Sequence, residues 1–83
     1  MTYKSLVVWQ KSMDLVEKVY GIVKLLPKEE TYALSDQMRR AAVSVPSNIA
    51  EGKSRNTVKE YIQFLSVARG SVNELSTQLM ICV

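Results

Sequence analysis

At 83 residues the chain is a single domain, close to the size below which a core buries too small a share of its surface to hold by itself. One cysteine, Cys82, excludes an internal disulfide, and the absence of histidine excludes His-based zinc sites, Ser-His-Asp triads and histidine general bases. The net charge of +3, from eleven basic and eight acidic residues, permits nucleic-acid contact without requiring it.

Oligomerisation is the stabilising device these exclusions leave to so small a scaffold. A lone cysteine fits a reducing cytoplasm, which is the expected location. No apolar run reaches about 18 residues, so no membrane span is expected. The N-terminal MTYKSLVVWQKSMD turns polar too early for a signal peptide.

The first predicted helix covers Ser5 to Leu26. Leu6, Trp9, Met13, Val16, Tyr20 and Val23 step by three and four, and Val8, Leu15, Val19, Ile22 and Leu26 form a second seam beside them. Two seams predict a helix that faces more than one neighbour. Pro27 ends it, because proline cannot donate the next hydrogen bond and disfavours helix at the residue before. PKEET, Pro27 to Thr31, reads as the connection, with acids suited to a helix start.

Helix 2 then carries Leu34, Met38, Ala41, Ala42, Val45 and Ile49 on one face. Its segment VSVPSN has no glycine and loses a donor at Pro46, so a phosphate-binding turn is disfavoured. The expectation is a helix kinked at Pro46, with Ser44, Ser47 and Asn48 bonding the freed groups. Gly52 reads as a left-handed C-terminal cap.

Thr57-Val-Lys-Glu60 matches a capping box and starts helix 3. Val58, Tyr61, Leu65, Ala68, Val72, Leu75, Leu79 and Cys82 form its seam. Gly70 costs roughly 1 kcal/mol of helix propensity, which suggests a backbone packed against it. The closing LMICV is apolar and uncapped, so a following segment or a partner is expected to cover it. The fold class is therefore all-α: one antiparallel up-down bundle over residues 1–83, with three helices.

Arg39 and Arg40 point about 100° apart on a helix. One is expected in solvent and the other in a structural ion pair with Glu51 or Glu74 from another helix. Trp9, Tyr61, Gly70 and Leu79 are assigned to core or subunit packing. In an up-down-up bundle Lys4, Lys53, Arg55 and Lys59 gather at one end, a candidate nucleic-acid-binding rim that reads no sequence. No carboxylate pair suggests acid–base work, so no catalytic residue, metal or cofactor is expected and the chain is not read as an enzyme.

Trp9 with nearby Lys11, LSDQMRRAAVSVPSNIAEG from Leu34 to Gly52, and EYIQFLSVARGSVNELSTQL from Glu60 to Leu79 resemble the proteins encoded by intervening sequences within bacterial 23S rRNA genes. The resemblance implies an antiparallel four-helix bundle assembled as a homopentamer, of which residues 1–83 are expected to carry three helices and to lack most or all of the fourth. A related branch is the accessory protein of diversity-generating retroelements, a basic bundle that binds reverse transcriptase and nucleic acid. These readings predict a non-catalytic homo-oligomer, five subunits favoured, that acts as an assembly or accessory protein. Binding of RNA or DNA at the basic end is the alternative, and neither reading involves a membrane.

Overall fold

A computed structural model describes residues 2–82, and the side chains of all of these except 28–32. A short 3-10 turn, Tyr3–Ser5, leads into α1 (Val7–Val23), α2 (Lys28–Lys53) and α3 (Val58–Cys82), with no strand among the described residues. The all-α reading holds, and no helix is long and apolar enough to cross a membrane among the described residues.

The helix ends show where local chemistry acts. Helix α1 stops at Val23, where Leu25 and Leu26 N–H groups tighten onto Ile22 and Val23 carbonyls at 3.0 and 3.1 Å. Pro27 is extended, with φ −60° and ψ 126°, and α2 begins on the next residue. The connection is thus residues 24–27, not PKEET: proline's fixed φ makes it the flank of the new helix rather than the start of a loop. At α3 the Thr57 hydroxyl accepts the Glu60 N–H at 3.2 Å and donates to Glu60 Oε1 at 3.0 Å. The carboxylate closes the capping box on the hydroxyl itself.

Pro46 is buried inside α2. The helix is unbroken across it, and the kink expected there is not shown. Ser47 Oγ donates to the Val43 carbonyl at 2.8 Å, and Asn48 Nδ2 donates to the Ser44 carbonyl at 2.8 Å and to Ser44 Oγ at 2.9 Å. Ser71 Oγ donates to the same Ser44 hydroxyl at 2.8 Å and ties α3 to α2 beside the proline.

Helix α2 is the shared element. It packs against both α1 and α3, whereas the Cα atoms of α1 and α3 nowhere approach within 8 Å among the described residues. The result is an elongated, flat body of 44 × 20 × 15 Å. Val19 and Val23 of α1, Met38, Ala41 and Ala42 of α2 and Leu75 of α3 form one core cluster. Val45, Ile49 and Ala68 form the other, with Leu6, Trp9 and Leu65 packed on it. The N-terminal end of α1 therefore meets the C-terminal half of α2, which is the antiparallel order expected. The buried strip of α1 runs between its two seams: Met13 and Tyr20 of the first, and Val8 and Ile22 of the second, remain exposed.

Two glycines differ from expectation. No described glycine has a positive φ, so Gly52 is not a left-handed cap. The helix instead closes at Ser54, whose N–H bonds the Ala50 and Glu51 carbonyls at 3.2 Å. Gly52 is buried because α3 crosses directly over it: a Cβ there would lie 2.7 Å from Phe64 Cβ and 3.0 Å from Tyr61 Cδ1. Gly70 is exposed, with no atom within 4 Å of an added Cβ, so within the chain it packs against nothing. Residues two apart on a helix point about 200° from each other, so a glycine between seam residues Ala68 and Val72 faces outward.

Candidate interaction surface

The helix order places the start of α1, the end of α2 and the start of α3 at one end, so Lys4, Lys53, Arg55 and Lys59 share that end. Their surroundings differ. Lys4 and Lys59 are exposed. Lys53 Nζ lies 5.7 Å from the centre of the Tyr61 ring. Arg55 stacks over Phe64 at 4.8 Å and its Nη2 pairs with Glu51 Oε1 at 2.6 Å. Arg55 is therefore held and half neutralised, which leaves three lysines as the freer charges.

The expected ion pairs between helices are replaced by pairs within helices. Arg40 Nε meets Asp36 Oδ2 at 3.1 Å, and Glu51 is taken by Arg55. Both pairs span four residues, the spacing at which helical side chains are neighbours, and both are exposed. Glu74 is exposed and accepts from Gln78 Nε2 at 3.1 Å, and Arg39 forms no ion pair among the described residues. The signal for them is local, in the four-residue spacings Asp36–Arg40 and Glu51–Arg55.

Trp9 sits edge-on to Tyr3, ring centres 5.3 Å apart, and packs on the Val45–Ile49 cluster. Tyr61 is half-buried between Lys53 and Gly52. Leu79 packs on the Met38–Leu75 cluster, as does Cys82, whose Sγ lies 3.6 Å from Met38 Sδ.

The feature sequence reasoning missed is a groove. Because α1 and α3 stay apart, an open apolar trough of about 270 Å³ remains between them. Val45 and Ile49 form its floor, Val8 one wall, and Leu65, Ala68 and Val72 the other, with Arg69 at the edge. A second open depression on α1 is lined by Lys11, Asp14, Leu15 and Lys18. Outside the groove, Val58, Ile62 and Met80 stand out from α3, 73, 56 and 74% exposed. They fall within about 40° of one another around the helix. No group of acidic or sulfur side chains that could hold a metal ion occurs among the described residues.

The helical body agrees with one family, whose model matches residues 4–83: 23S rRNA-intervening sequence protein. The chain belongs to that family. The match takes in all of α1, α2 and α3, so each candidate residue from Lys4 to Leu79 lies inside the family's own region. The family description names no reaction. No curated protein matches the chain.

Proposed function

We propose that this 23S rRNA-intervening sequence protein is a non-catalytic helical bundle that acts in the cytoplasm by assembling, first with copies of itself. The observation that carries the reading is the outward apolar stripe of α3, Val58, Ile62 and Met80. Large apolar side chains aligned on one side of an exposed helix are costly in water and mark interaction surfaces. Self-association also supplies the burial that a small domain lacks. Five subunits are favoured by the family resemblance. Multi-angle light scattering at micromolar concentration tests this: a discrete oligomer is expected, and a well-folded monomer over the whole concentration range overturns it.

A second reading is supported by the lysines at the shared end. Lys4, Lys53 and Lys59 form no ion pair among the described residues. An oligomer would multiply them into a rim that attracts phosphate. Fluorescence anisotropy with an arbitrary RNA at two salt concentrations tests it. Weak binding that salt removes, and that glutamine at all three positions abolishes, is expected; binding unchanged by those substitutions refutes it.

A further inference from the structure

We infer that the basic end takes the phosphate backbone of duplex nucleic acid in preference to single strands, because the aromatic rings at that end are already engaged. This rests on the reading that Lys4, Lys53 and Lys59 attract phosphate, and it names the nucleic acid they suit.

Proteins that hold single strands combine a cationic groove with aromatic side chains on which the bases stack. The end has the charges: Lys4 and Lys59 are exposed and Lys53 is half-buried. It also has rings. Tyr3 and Trp9 around the start of α1, with Tyr61 and Phe64 at the start of α3, are four of the chain's six aromatic residues.

All four are half-buried, and each already has a neighbour at its ring. Tyr3 and Trp9 meet edge-on at 5.3 Å between ring centres, and Trp9 packs on the Val45–Ile49 cluster. Lys53 Nζ stands over the Tyr61 ring at 5.7 Å, with Gly52 close to Tyr61 Cδ1. The Arg55 guanidinium lies over Phe64 at 4.8 Å and is fastened there by Glu51 at 2.6 Å. Phe64 also borders an open depression with Gln63 and Val67, so it is where a competing base would stack.

Charge without free rings favours the strand form with the denser charge. Each phosphate neutralised releases about 0.9 counterion from duplex DNA and about 0.7 from a single strand. Three lysines then favour duplex by about sixfold at about 50 mM salt. The log–log salt slope should be about 1.3 times as steep for duplex, however many protomers engage.

The probes are a DNA strand of about 20 nucleotides without self-complementarity and the same strand paired with its complement, titrated with the full chain between about 50 and 200 mM salt. Fluorescence anisotropy should show the duplex binding about sixfold tighter at the lower salt, with the steeper slope. Emission of Trp9, the chain's single tryptophan, should stay unquenched by either probe, since a stacked base quenches it. Phe64→Leu should change single-strand affinity by less than about twofold, because no base stacks there. Three results overturn the inference: a single strand that binds as tightly as duplex, quenching of Trp9 that saturates with binding, or a several-fold loss of single-strand binding in Phe64→Leu. The reading of the lysines survives each of these if glutamine at Lys4, Lys53 and Lys59 abolishes the binding. No binding of either probe, or duplex binding that persists with those glutamines, overturns both. If Phe64→Leu does not fold, the duplex-to-single-strand ratio and the Trp9 emission decide, since both are measured on the parent chain.

Discussion

Gly52→Ala is the sharpest test of how α2 and α3 meet. The added methyl would sit 2.7 Å from Phe64 Cβ, 3.0 Å from Tyr61 Cδ1 and 3.3 Å from the Tyr61 carbonyl oxygen. Two of these atoms are fixed close to the α3 backbone, so no flexible tip can swing away. The helices must part by several tenths of an ångström. Overpacking of this kind costs about 1–3 kcal/mol. Alanine recovers at most about 1 kcal/mol of helix propensity, and less here, because α2 ends one residue later. A net loss of roughly 1–2 kcal/mol is expected. Gly70→Ala gives the opposite sign: the site is helical, exposed and open, so the same methyl should stabilise by about 0.5–1 kcal/mol. At about 4–8 °C per kcal/mol for a domain of this size, the two variants should differ by on the order of 10 °C in circular dichroism melts. A Gly52→Ala variant that melts at or above the parent would refute the close helix crossing. Equal losses in both variants would refute the assignment of that crossing to Gly52 alone.

Gln78→Leu should raise stability by about 1 kcal/mol in urea unfolding, because the side chain is 5% exposed and its Oε1 is buried without a hydrogen-bond partner. Thr57→Ala should cost about 1 kcal/mol through the lost cap of α3, while Thr57→Ser keeps most of it; melts of the pair check this. Arg40→Gln should change stability by no more than about 0.5 kcal/mol, since its pair with Asp36 is exposed; a loss above 2 kcal/mol would place Arg40 in a buried pair.

The helices were legible because their signals are local. Seam spacing, Pro27 and the Thr57 cap each act within one turn, and each gave an element of the right type. What was not legible depends on a neighbour that the local sequence does not contain. Gly52 near a helix end satisfies the rule for a left-handed cap and equally the rule for a close crossing. Only the position of Phe64 and Tyr61 decides between them. The two seams of α1 pose the same problem, since either could face α2, and the buried strip through Ser12, Val19 and Val23 takes part of each. Arg40 failed for the reverse reason: its partner, Asp36, is four residues away in the same helix. The basic end was legible as a place, because chain order sets it. The hold on Arg55 was not, because it needs Phe64 nine residues on, across the turn between helices.

The central position of α2 explains why so much apolar surface is left over. Ala41, Ala42, Ser44 and Gly52 on α2 let its two neighbours approach, and its larger Met38, Val45 and Ile49 are buried in the contacts they leave. Helices α1 and α3 each have a single partner, so a helix with an apolar surface wider than one contact cannot bury it all. Val8 of α1 and Leu65 and Val72 of α3 end up on facing walls of one trough, and Val58, Ile62 and Met80 on the outside of α3. Arg69 lies where these two surfaces meet, at the edge of the trough and about 20° round the helix from Val58 and Ile62. Substitutions on α2 should therefore register as loss of fold, and substitutions on the walls of α1 and α3 as loss of assembly with the fold retained.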